Sequence, residues 1–135
     1  MKYLRIFFLM SAVLLAASCG NKNAIVGSWQ LQEFVYGEDT MSMDDFGIVQ
    51  LWSFTSDHAE GDSLADYCIG SQYQEDAMDH TIAWRLGKGG DTLFTCDLRG
   101  GHRDTFNIVR LDNEMMVLRS QLKETPVLQS FKPVE

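Results

Sequence analysis

Three histidines, three cysteines and one run of closely spaced acids are the residues of this 135-residue chain equipped for chemistry. His58, His80 and His102 stand far apart, each in a predicted turn or at a strand start, where histidine is usually solvated. Ser53, Ser63, Ser71 and Ser120 lack the strand-to-helix elbow that exposes a nucleophilic serine. Gly87-Lys88-Gly89-Gly90 has the glycines of a phosphate loop without its spacing, and a hairpin turn accounts for it. Asp57-His58-Ala59-Glu60-Gly61-Asp62 is the densest set of oxygen ligands. It lacks the EF-hand spacing and the closing glutamate, so it reads as a polar turn. Acids are abundant, as at Asp44-Asp45, but none is singled out as a general acid or base. The expectation is a chain with no catalytic residue, no cofactor and no metal site.

The cysteines point elsewhere. Lys2 and Arg5 precede an apolar run from Ile6 to Ala17, interrupted only by Ser11. That is the length of a signal h-region and shorter than the roughly 20 residues of a membrane span. Ala16, Ala17 and Ser18 then lead into Cys19. This segment resembles the lipobox of bacterial lipoproteins, with Ala16 where that family prefers Leu. The resemblance implies an acylated Cys19, a signal peptide over 1–18, an anchor and flexible tether over 19–24, and one domain over 25–135. It implies attachment to a membrane through the N-terminal lipid, in the cell envelope of a Gram-negative bacterium, at the outer membrane facing the periplasm. Multiple acyl chains hold a protein to a bilayer stably. Cys68 and Cys96 are then an even pair in an oxidising compartment, and a disulfide between them is predicted. It would contribute ~3 kcal/mol in the chain-entropy model. The alternative is two buried thiols on separate strands.

The formal net charge is −8, and loss of Lys2 and Arg5 with the leader makes it more negative. This argues against nucleic acid as a partner. The charge is uneven. Between Asn23 and Trp84 there are twelve acids and no Lys or Arg, whereas eight basic and seven acidic residues follow Trp84. The acidic stretch is a solubilising surface or a docking face for a basic protein partner.

Period-2 alternation dominates the chain after residue 24. It is clear over Gly27–Gln32, over Thr81–Leu86 with Ile82, Trp84 and Leu86 in phase, and over Thr92–Leu98 with Phe94, Cys96 and Leu98 in phase. Further strands are predicted over Phe46–Phe54, Leu64–Tyr73, Thr105–Leu111, Glu114–Gln121 and Val127–Val134, and residues 39–46 as a short helix or lid-like loop. Gly87–Asp91, Arg99-Gly100-Gly101 and Asp112-Asn113 read as turns. Helical periodicity is nowhere sustained. About eight strands joined in succession predict an all-β fold, an eight-stranded up-and-down antiparallel barrel, with an open two-sheet sandwich as the rival.

Ile25-Val26-Gly27-Ser28-Trp29-Gln30-Leu31 resembles the opening Gly-x-Trp strand of lipocalins and of small lipocalin-like lipoproteins. Leu51-Trp52-Ser53-Phe54, the hairpin from Trp84-Arg85-Leu86 to Asp91-Thr92-Leu93, and Phe106 to Leu118 are similar to later parts of that pattern. The turn after Phe54 lacks the glycine often found there. The resemblance implies a barrel in which Gly27 admits a close neighbour and Trp29 plugs the floor. It implies a monomeric binding module holding a small apolar or amphipathic ligand, with Trp52, Trp84, Phe94 and Phe106 as candidate contacts. A filled barrel acting as a protein-interaction module is the alternative.

Overall fold

The structure, a computed structural model, describes residues 22–75 and 79–134. The signal peptide and the lipidation expected at Cys19 lie outside the described residues. Residues Lys22–Ile25, expected as the end of a tether up to residue 24 and the first residue of the domain, form a single helical turn, α1. The strands that follow are β1 (Gly27–Tyr36), β2 (Asp39–Ser42), β3 (Gln50–His58), β4 (Cys68–Gln74), β5 (His80–Leu86), β6 (Thr92–Asp97), β7 (Arg103–Leu111), β8 (Met116–Leu122) and β9 (Thr125–Val134). A second helical turn, α2 (Met43–Phe46), precedes β3, and a 3₁₀ turn spans Asp62–Leu64.

Every pairing is antiparallel, and the sheet runs β1-β3-β4-β5-β6-β7-β8-β9 before β9 returns to β1. Eight strands therefore close into a barrel, as the chain of hairpins predicts, and closure leaves those strands no free edge. The ninth strand, β2, lies outside the ring. It pairs with the far half of β1, from Glu33↔Ser42 to Tyr36↔Asp39, while β3 pairs with the near half, from Gly27↔Phe54 to Gln30↔Leu51. The short strand thus covers the part of β1 that β3 leaves open.

Alternation decides what faces inward. Trp29 and Leu31 of β1 point into the barrel, and a bulge between Leu31 and Glu33 shifts the phase, setting Phe34 opposite Gln129 and Tyr36 opposite Val127. Leu31, Phe54, Ile82, Trp84, Leu93, Met116, Leu118 and Phe131 are almost wholly buried and fill the interior. Gly70 makes room for them: a Cβ there would lie 2.6 Å from the Ser53 carbonyl oxygen and 3.2 Å from the Trp84 ring. Trp29 is buried, and its indole N–H donates to the Ile25 carbonyl at 2.8 Å, so α1 caps this end of the barrel.

Several details differ from the sequence reading. The residues from Phe46 to Val49 are not strand, because α2 ends at Gly47 in the left-handed conformation, and β3 runs on to His58. Residues Leu64–Tyr67 are not strand either. They belong to a strap, residues 59–67, that crosses the outer face of the sheet and is tied by Ala59 N–H to the Tyr67 carbonyl at 3.0 Å. Gly27 is exposed, and a Cβ there would touch nothing within 4 Å. Its role is conformational, since its φ of +135° is rarely open to other residues.

The expected disulfide is corrected. Cys68 and Cys96 are both buried free thiols. Cys68 is opposite Trp84 and Cys96 is opposite Ala83, so strand β5 separates them by two strand spacings, roughly 9–10 Å. Disulfides need Cα atoms within about 7 Å. Moreover, Cys68 packs in the interior while Cys96 packs under Tyr67 on the outer face.

Candidate functional site

One end of the barrel is sealed and the other is open. The open end is where β3 and β5 begin and β4 ends. There the inward positions change from apolar to amide: Gln50 and Gln74 face each other, then Trp52 and Gln72, with His80 beside Gln72 on β5. Gln50, Trp52, Gln72, Tyr73, Gln74, His80 and Gln129 line a cavity of about 240 Å³. Trp52 is its floor. This indole is 7 % exposed and rests edge-on against Phe106 at 5.5 Å and tilted against Phe131 at 5.0 Å between ring centres.

The polar groups of this mouth fall into two kinds. Gln50 and Gln74 satisfy each other, the Gln50 Nε2 group donating to Gln74 Oε1 at 2.8 Å. His80 Nδ1 lies 3.5 Å from Asp97 Oδ2. The backbone N–H of Arg99, 2.8 Å from Asp97 Oδ1, holds that carboxyl below the ordinary carboxylate range, aided by the Gly100 N–H and by the charges of His80 and Arg99. The side-chain amides of Gln72 and Gln129 and the indole N–H of Trp52, by contrast, make no hydrogen bond to any described residue. No buried side-chain nitrogen or oxygen among the described residues is sealed away without a partner, so these groups reach the open cavity.

The four candidate contacts divide accordingly. Trp52 lines the mouth. Phe106 supports Trp52 from behind and does not line the cavity. Trp84 is core, 1 % exposed, and its N–H is shared between the Thr55 and Ile69 carbonyls at 3.1 Å each. Phe94 faces outward, a correction with a simple cause: Leu93 and Thr95 take the inward positions of β6, so Phe94 and Cys96 share the other face. That face is apolar because the strap covers it. Tyr67, Ala83 and Cys96 are buried there with Ala59, Leu64 and Phe94 against them. The Arg85 guanidinium stacks between two rings, 4.1 Å from the Phe94 centre and 5.4 Å from the Tyr67 centre. The Asp57–Asp62 run opens this strap with its acids exposed, and no set of three metal-ligating side chains converges among the described residues.

Gln50, Gln72, Gln74 and Gln129 carry no sequence signal as a group. They come from three strands and meet only through the register. A second hollow, about 260 Å³, lies between Thr105, Asn107, Arg119, Ser120, Gln121 and Pro126. Five of the six are surface residues and Ser120 is half-buried, so it has no buried polar group comparable to Gln129.

No protein-family model, no curated protein and no solved structure matches this chain.

Proposed function

We propose that this chain is a lipid-anchored binding barrel of the bacterial cell envelope, and that it engages a small amphipathic ligand at its mouth. The cavity above Trp52 is the observation that carries the reading. Below it the barrel is filled by side chains, as eight-stranded barrels commonly are. The 240 Å³ at the mouth falls just under the roughly 300–1,000 Å³ of ligand clefts. It suits one ring-sized molecule or the end of a longer one. The leader and Cys19 support the envelope location, and the resemblance to lipocalin-like lipoproteins supports the binding role.

Native mass spectrometry of the full chain, expressed with its own N-terminal segment, tests this. A small adduct that leaves on collisional activation and is absent from Trp52→Ala supports the reading. A clean mass with no such adduct, together with Trp52 fluorescence unmoved by an extract of the host envelope, rejects it. The same spectrum carries an acyl mass on the wild type that Cys19→Ala must lose.

One observation favours a second reading, docking of a basic protein. The eleven described acids between Glu33 and Asp79 are all exposed, and none is ion-paired with another described residue. Binding of this kind weakens steeply with salt, which separates it from ligand capture at a neutral mouth.

A further inference from the structure

We propose that the mouth recognises a neutral sugar ring. The inference rests on the reading of the mouth as the binding site and goes on to the chemistry of what fills it. Among the described residues, the wall of the cavity carries no carboxylate, guanidinium or ammonium group: it consists of four glutamine amides, one histidine, one tyrosine and one tryptophan. A charged ligand would find only His80, which already faces Asp97 at 3.5 Å, and would otherwise leave water without an opposite charge to meet it. A hydrocarbon chain would cover the side-chain amides of Gln72 and Gln129, which no described residue partners, and leave them unpaired, which costs about 1–3 kcal/mol for each group.

Two groups make the argument specific. Gln129 is 9 % exposed and projects inward from β9 opposite Phe34, and its side-chain amide has no hydrogen-bond partner among the described residues. The Trp52 N–H is in the same position. Neither group is sealed off, so what fills the cavity is what partners them, whereas the other two indoles of this chain are partnered by protein. Gln72, half-buried on β4 beside Trp52, is likewise unpaired. The cavity thus presents donors and acceptors side by side around an aromatic floor. Its complement has hydroxyl groups, each donor and acceptor, around its edge, a C–H face that lies on an indole, no net charge, and the size of one ring. A neutral pyranose has all four properties.

Saturation-transfer NMR on the full chain in phosphatidylcholine vesicles is the test. The probes are methyl β-glucopyranoside and N-acetylglucosamine as neutral rings, glucuronate as a charged ring of the same size, and decanol as an apolar chain. Transfer is expected to both neutral rings, which compete with each other, and about tenfold weaker to glucuronate, the cost of one unmatched charge at the lower end of its range. Gln129→Leu and Gln72→Leu are each expected to weaken neutral-ring binding threefold to about tenfold, the effect of one lost hydrogen bond. Gln72 is not fully buried, so its variant keeps the test alive if Gln129→Leu fails to fold. Absence of transfer to both neutral rings overturns the proposal, as does transfer that neither glutamine variant weakens. Transfer to decanol alone, lost in Trp52→Ala, overturns the sugar while leaving the mouth as the binding site. No transfer to any probe removes both.

Discussion

Trp84 and Trp52 face the same interior from β5 and β3, and Phe54 lies between them, 5.4 Å from one ring and 6.5 Å from the other. They differ in what surrounds them. Around Trp84, Gly70 has given up its side chain to admit the ring, the ring is 1 % exposed, and two carbonyls share the N–H. Trp52 has aromatic neighbours too, Phe54, Phe106 and Phe131, but it also lines the mouth. In front stand glutamines, and the N–H is unpaired. An aromatic residue facing into a barrel is therefore not a sign of ligand contact by itself. The state of its polar atom separates the plug from the floor of a site.

Truncation gives the largest test of this difference. Trp84→Ala removes a ring enclosed on every side and is expected to destabilise the barrel by ~3–5 kcal/mol in urea unfolding. Trp52→Ala deletes a ring that lines the mouth, and water from the mouth can enter the space it leaves. Its cost is expected to be the smaller by at least ~1 kcal/mol. Equal losses would mean that the mouth is ordinary core, and the contrast would fail.

The barrel was legible in the sequence and the site was not, for reasons that particular residues make plain. Ile82, Trp84 and Leu86 alternate with Ala83 and Arg85, so that strand and its inner face could be read directly. Phe94, Cys96 and Leu98 alternate just as cleanly, but they face outward. Alternation gives the phase of a strand and not its side, and here the strap of residues 59–67 makes part of the outer face apolar too. The strap was hidden because its buried anchor, Tyr67, stands in an otherwise polar run. The bulge after Leu31 moves Phe34 inward without any Gly or Pro to announce it. The β8–β9 turn is similar: Lys123 and Glu124 both take positive φ, 50° and 71°, where Asn-Gly would be the usual signal. As for the mouth, Gln50, Gln72, Gln74 and Gln129 are polar residues on predicted strands. Only pairing and closure decide that they meet over Trp52. Cys68 and Cys96 failed as a pair because chain separation says nothing about which face each thiol takes.

A smaller change probes the indole nitrogens alone. Phe in place of Trp keeps most of the ring and deletes the N–H. Trp84→Phe strips a donor from the Thr55 and Ile69 carbonyls, and Trp29→Phe strips one from the Ile25 carbonyl. Each is expected to cost ~1–3 kcal/mol, because a buried acceptor loses its partner. Trp52→Phe leaves no protein group unpaired and is expected to cost less than ~1 kcal/mol, the loss of some ring area. Urea midpoints for the three variants, compared at equal slope, give the ranking. Should Trp52→Phe cost as much as the others, its N–H has a protein partner after all, and the mouth loses its free donor.

The smallest effect compares a carboxylate at each end of the barrel. At the sealed end Asp112 holds the β7–β8 turn: Oδ2 accepts from Arg110 Nε at 2.7 Å, and Oδ1 accepts from the Glu114 and Met115 backbone N–H groups at 2.8 and 2.9 Å. At the mouth Asp97 accepts the Arg99 N–H and lies beside His80. Both carboxyls are held below the ordinary value of 3.8, Asp112 chiefly by the Arg110 side chain and Asp97 chiefly by the Arg99 N–H. A carboxyl with a depressed folded pKa contributes stability that is complete above its unfolded value and is lost as pH falls through the folded one. Wild-type stability is therefore expected to decline as pH falls below about 3.8, and Asp112→Asn is expected to flatten that decline. Asp97→Asn is expected to flatten it less, since the largest support of that carboxylate is a backbone N–H and that of Asp112 is a charged arginine side chain, and both groups are largely solvated, which keeps the two effects small. Urea midpoints measured between neutral pH and the acid limb resolve them. A larger effect from Asp97 than from Asp112 would reverse the order, and it would mean that the mouth is held by its His80–Asp97 contact more firmly than the sealed end is held by its turn.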